Sequence, residues 1–184
     1  MKTRLRGFRP EKLGRVKSRA QQVQEAIGGQ RTVGHTEYVK EWLMQLQGQV
    51  VGLDTAPLIY LIEQNQVYLG LVRAFFGALS RGEFQVVTST LTLTEVLVHP
   101  LRSGNVELAG QYRDILLDQE NLITVPISLE IAEVAAQLRA RQNLRTPDAI
   151  QIATAMGEGA MFFLTNDARL AAVPDLKVLV LDAL

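Results

Sequence analysis

From Gln49 onward the chain alternates short, continuously apolar runs with longer stretches of helical period, and few folds accept that pattern. Val50 to Leu53, Gln85 to Thr88, Leu122 to Val125, Met161 to Leu164 and Lys177 to Leu181 read as strands. Between them the spacing of apolar residues predicts helices over Pro57 to Glu63, Val67 to Arg81, Thr92 to Leu101 (limited by Pro100), Val106 to Gln119, Leu129 to Gln142 and Pro147 to Met156. A short helical turn is expected after Asp167. Strands that are apolar throughout must be covered on both faces, and helices between them make the crossovers. The expected fold is therefore α/β, a three-layer α/β/α sandwich around a central parallel sheet.

What precedes Gln49 is patterned differently. Residues 1–48 read as a basic extension, with a short amphipathic helix near its end marked by Tyr38, Trp42, Leu43 and Leu46. Residues 49–184 read as the domain proper. The overall charge of zero is split: ten Lys/Arg face four Glu up to Gly48, and nine Lys/Arg face fifteen Asp/Glu beyond it. Three readings of that arm stand side by side. It contacts nucleic acid by displacing counterions from phosphates, or it is a solvated tail, or it comes from an upstream start codon. The chain has no cysteine, which excludes disulfides and thiolate metal sites and fits a reducing compartment. No apolar run reaches the roughly 18 residues that a membrane span needs, and no apolar segment follows the basic N-terminus as a secretory signal requires. A cytoplasmic protein without a membrane partner is expected.

In an open parallel sheet, ligands bind beyond the carboxyl ends of the strands. Four acids fall there. Asp54 ends the first strand, Glu95 follows the second, Asp167 follows the fourth, and Asp148 opens the helix at Thr146-Pro147. Each has a purely structural reading as well. Thr92-Leu93-Thr94-Glu95 fits a capping box. Thr146-Pro147-Asp148 fits an N-cap, a first-turn proline and a dipole-favoured acid. Asp54 and Asp167 suit caps of the helical segments that follow them. Convergence of four acids on one edge is harder to assign to capping alone, because clustered carboxylates repel and call for a cation. Oxygen ligands without nearby His or Cys suit Mg²⁺ or Mn²⁺ rather than zinc. His35 and His99 read as surface residues, and there is no Walker loop, GxGxxG motif or GxSxG elbow. What remains is metal-assisted attack of water on a phosphodiester.

The segments Val51 to Tyr60, Thr94-Glu95, Thr146 to Ala155 and Leu164 to Asp167 carry a resemblance. In content and order they resemble the PIN-domain nucleases, and within them the VapC-type toxins of type II toxin–antitoxin systems. The resemblance implies a Mg²⁺- or Mn²⁺-dependent endoribonuclease acting on RNA, often a homodimer, held inactive by a cognate antitoxin protein. It also implies that Asp54 and Asp148 are the principal metal ligands, with Glu95 and Asp167 completing an acidic pocket. Thr55, Thr165 and Asn166 match polar positions bordering that pocket, and are the expected substrate contacts. The basic extension departs from the pattern of short toxins. Two other enzyme or signalling classes fit worse. A haloacid dehalogenase-type phosphatase wants a second Asp where Ala56 stands, and a receiver domain wants an acidic pair near its first strand. The remaining alternative is a PIN-fold module that only binds RNA or protein, which gains nothing from four repelling acids.

Overall fold

The computed structural model describes residues 41–184, so expectations for residues 1–40 lie outside the described residues. Its centre is a five-stranded sheet, parallel throughout, in the order β3-β2-β1-β4-β5. The strands are β1 (Val50–Leu53), β2 (Gln85–Ser89), β3 (Leu122–Val125), β4 (Phe162–Thr165) and β5 (Lys177–Val180). Within residues 50–184 six helices accompany them: α1 (Thr55–Ile62), α2 (Leu69–Ser80), α3 (Thr90–Ser103), α4 (Val106–Asp118), α5 (Leu129–Gln142) and α6 (Thr146–Gly157). Residues 41–44 are helical as well. Short 3₁₀ turns occupy Ala168–Ala172 and Leu181–Ala183. The expected three-layer α/β/α sandwich is the fold observed.

Two apolar clusters, one on each side of the sheet, hold the layers together. Val51, Leu53, Val86, Leu164 and Leu179 join Leu58 of α1, Phe75 and Leu79 of α2, Val96 of α3 and Tyr112 of α4. Their strand neighbours Val87 and Phe163 face the other way, onto Ile131 and Leu138 of α5 and Ile152 of α6. Alternation of side chains along each strand produces this division. Trp42, Leu43 and Leu46 are also buried in the first cluster, and the Trp42 ring stacks on Phe75 at 6.1 Å. Packing thus reaches back at least to Trp42.

Three local expectations are corrected. Helix α3 does not stop at Pro100 but continues to Ser103, where Gly104 closes it at φ +67°. Proline forfeits one helical hydrogen bond, yet burial of Pro100 and a left-handed glycine one turn later outweigh that loss. Helix α3 also begins earlier than Thr92, because the Ser89 side chain accepts from the Leu91 amide and caps it. That places Thr92 in the helix interior, and the capping-box reading of Glu95 falls with it. Likewise α6 is capped at Arg145 with no side-chain bond, so Thr146 is its first helical residue and not its cap.

At Gly52 two layers approach closely. A Cβ there would lie 2.5 Å from Ala155 Cβ and 2.6 Å from Phe163 Cδ2, so α6 rests directly on the backbone of β1. Gly52→Ala is expected to destabilise the protein by about 1–3 kcal/mol, the usual cost of overpacking a tight core. Urea denaturation measures this, and an unchanged midpoint would mean that α6 can retreat freely.

Candidate active site

The strand order reverses direction between β1 and β4, and their carboxyl ends lie side by side, with Leu53 paired to Leu164. Such a switch point opens a crevice. Asp54 and Thr165 stand at its floor, and the Asp54 amide donates to Leu164 O at 2.9 Å. Asp54 Oδ1 accepts from the Thr55 amide at 2.7 Å, which caps α1 and starts that helix two residues before Pro57. Asp54 Oδ2 accepts from Thr165 Oγ1 at 2.6 Å, and Thr165 is fully buried. Burial pushes the Asp54 carboxyl above the ordinary aspartate value. The bonds from Thr165 and Thr55 pull it back, while the charges of Glu95 and Asp167 add to the rise.

Asp148 sits in the first turn of α6. Gln151 of that helix accepts from the Ser89 amide and donates to Thr55 Oγ1, which fixes its N-terminal turns at the carboxyl edge of the sheet. Burial raises the Asp148 carboxyl too, followed by the charges of Asp54 and Asp167, against the lowering effect of Arg169 and Arg145. Glu95 lies on α3 with an exposed side chain, and its Oε2 accepts from the buried Thr55 hydroxyl. Asp167 caps the 3₁₀ turn after β4, accepting from the Arg169 amide at 2.9 Å, and its own amide donates to Thr165 Oγ1 at 3.0 Å. The Arg169 guanidinium grips the Asp167 carboxylate through Nε at 2.8 and 2.9 Å and through Nη2. That pair holds Asp167 below the usual aspartate value. All four acids therefore come to one edge, where Asp54 feels the charges of Glu95 and Asp167, and Asp148 those of Asp54 and Asp167.

The three polar neighbours are engaged within the protein. Thr55 donates to Glu95, Thr165 donates to Asp54, and Asn166 braces the rim. Asn166 Nδ2 donates to Tyr60 OH at 3.3 Å and its Oδ1 accepts from the Asp182 amide at 3.1 Å, while Tyr68 OH donates to Asp182 Oδ1 at 2.5 Å. Behind Glu95 lies a buried polar group absent from the sequence expectations: Thr88, Ser89, Thr92 and Gln151. A detectable signal existed, since Gln151 follows Asp148 by three residues on a helix that is otherwise apolar at that depth.

Among the described residues no group of three His, Asp or Glu side chains is already arranged to hold a metal ion. The donor chemistry still suits one. Four carboxylates supply hard oxygen ligands, and Asp54 and Asp148 are destabilised as anions by burial and by like charge. A divalent cation relieves both penalties. For Asp167 to take part, its carboxylate must let go of Arg169, which now occupies both of its oxygens.

Comparison with known proteins places the fold. The profile of the PIN domain matches residues 51–176. No curated protein matches by sequence. Among solved structures, VapBC2 from Rickettsia felis, bound to a DNA fragment from its promoter, is similar with a TM-score of 0.58 and 18% identity over 71% of this chain and 98% of that one. A toxin–antitoxin complex from Klebsiella pneumoniae is similar at 0.53 and 26% identity, over 72% and 97%. A sarcin-ricin loop cleaving toxin from Mycobacterium tuberculosis is similar at 0.57 and 17% identity, over 70% and 98%.

Two measurements test the site's electrostatics. Cation binding needs deprotonated acids, and Asp54 and Asp148 keep their protons to a higher pH than an ordinary aspartate does. Mn²⁺ affinity by calorimetry should therefore fall on acidification from neutrality, starting above the ordinary aspartate range. Arg169→Gln should bind Mn²⁺ more tightly than wild type, because Asp167 is released and a positive charge is gone. Weaker binding by that variant would show that Arg169 supports the site rather than competes in it.

Proposed function

Since the chain belongs to the PIN domain family, we propose that it is a Mg²⁺- or Mn²⁺-dependent endoribonuclease and the toxin of a toxin–antitoxin pair. The observation that carries the reading is the gathering of Asp54, Glu95, Asp148 and Asp167 at the β1/β4 switch point, with Asp54 and Asp148 raised by burial and by neighbouring acids, Glu95 and Asp167 for the first and Asp54 and Asp167 for the second. Asp54 and Asp148 are the ligands expected to hold the ion, with Glu95 and Asp167 completing the pocket. When bound, the cation lowers the pKa of water and offsets charge on the phosphoryl oxygens.

The chain's own residues set the stage for that chemistry. Thr165 and the Thr55 amide orient the two oxygens of Asp54. Thr55 holds Glu95, and the N-terminal turn of α6 supports the charge of Asp148. Asn166 and Thr165 border the pocket where an RNA phosphodiester would lie. The toxin–antitoxin complex of similar structure supports a small antitoxin as the protein partner. A homodimer as the working assembly and the cytoplasm as its place belong to the same proposal.

One observation favours the second reading, a PIN-fold module that binds RNA or protein without cutting. No three acids among the described residues form a ready cation site, and Asp167 is neutralised by Arg169. Asp148→Asn separates the two. It should abolish Mg²⁺-dependent cleavage of RNA by the purified protein. In EDTA it should melt at the same or a higher temperature than wild type, because Asp148 is pushed up by burial and neighbouring acids. Undiminished cleavage would remove Asp148 from the mechanism, and a large loss of metal-free stability would make it a helix-capping residue instead.

A further inference from the structure

Gln151 is 3% exposed, and all of its side-chain partners are themselves buried. Its Oε1 lies 3.2 Å from the Ser89 amide, 3.0 Å from Ser89 Oγ and 3.4 Å from Thr88 Oγ1. Its Nε2 lies 2.5 Å from Thr92 Oγ1 and 3.4 Å from Thr55 Oγ1. The two ends of an amide are usually hard to tell apart, but here the environment decides. A backbone N–H can only donate, so the Ser89 amide must face the oxygen. The nitrogen then faces the two threonines, and both must accept from it.

Every other proton in the group follows. Thr55 accepts from Gln151, so its own hydroxyl proton is free to point at Glu95 Oε2, a pure acceptor. Thr92 accepts from Gln151 and donates to Thr88 Oγ1 at 2.7 Å. Thr88 passes its proton to Leu53 O at 3.0 Å, which terminates the β1 strand beside Asp54. Ser89 Oγ donates to Gln151 and accepts from the Leu91 amide. No atom of the group is left without a partner. Chains of aligned hydrogen bonds polarise one another, and buried networks that are fully satisfied are rigid.

We infer that Gln151 is a positioning residue: it sets the direction of a buried hydrogen-bond relay running from the Ser89 amide through Thr55 to the carboxylate of Glu95. Glu95 is otherwise exposed, and a side chain of its length samples many rotamers. The relay commits one Glu95 oxygen inward, which holds the carboxylate within electrostatic reach of Asp54. Because Gln151 and Asp148 share the first two turns of α6, one rigid helix carries one acid and orders a second. The consequence for cation binding rests on the proposed function; the relay itself does not.

The test uses the full chain and four substitutions, the fourth being Glu95→Ala. Gln151→Met keeps the volume and deletes the amide, Thr55→Val deletes only the hydroxyl that reaches Glu95, and Thr55→Ser restores it. Gln151→Met and Thr55→Val should each weaken Mn²⁺ binding by roughly 10-fold or more, the usual loss when the support of a metal ligand is removed. Thr55→Ser should stay near wild type. In a Glu95→Ala background the Gln151→Met loss should vanish, since the relay then has no end to hold. An equal loss in that background would overturn the proposal and assign the effect to general loosening of α6. A second readout needs no metal. Glu95→Ala should shift the side-chain amide resonances of Gln151 in a ¹⁵N spectrum, and an unmoved amide would also overturn the relay. If wild type binds no Mn²⁺, the metal reading fails while the amide resonances still decide the relay.

Discussion

Four negative charges on one edge of a small sheet is an arrangement that folding alone disfavours. Desolvation and mutual repulsion both act against Asp54 and Asp148. The surrounding structure is organised by what offsets them: the N-terminal turns of α1 and α6, the Thr165 and Thr55 donors, and the Arg169 guanidinium on Asp167. Each offset is partial. Helix termini contribute on the order of 0.3–1 kcal/mol apiece at partly exposed positions, and an exposed ion pair contributes little. The residual strain is what a bound cation would remove. A chain selected for stability alone would have replaced at least one of these acids.

The strand and helix pattern was legible because this sheet is buried on both faces, and continuous apolar runs such as Val50–Leu53 and Leu122–Val125 have few other uses. Helix ends were read less well. Pro100 looked like a stop, and only the tertiary packing that buries it shows why α3 runs on. Thr92 and Thr146 looked like caps because their spacing to Glu95 and Asp148 is right, while the actual helix starts lie at Thr90 and Thr146, with caps one residue earlier at Ser89 and Arg145.

The candidate site was legible as acids and illegible as support. Strand ends single out Asp54 and Asp167 without any coordinates. A polar residue within the apolar run Ala149 to Ala153 marks Gln151 out, but nothing local says what it bonds to, because its partners Ser89, Thr92 and Thr55 are about 60 to 96 residues distant in sequence. Long-range hydrogen bonding leaves no periodic trace. The role of the amide becomes plain only once α6 is laid against β1 and β2, where a polar side chain must find partners or be excluded.

Gly52 gives that last point a different meaning. The missing side chain there permits contact between Ala155 and the strand backbone, and α6 is a rigid rod with Ala155 toward one end and Asp148 toward the other. The breadth of the pocket is thus gauged from below, by an omission two residues before Asp54. A wedge inserted at that depth would tilt the rod, and the lever would carry the displacement to the acid at its tip. In this chain the aperture over the sheet is adjusted at its foundations, by a position that touches neither substrate nor charge.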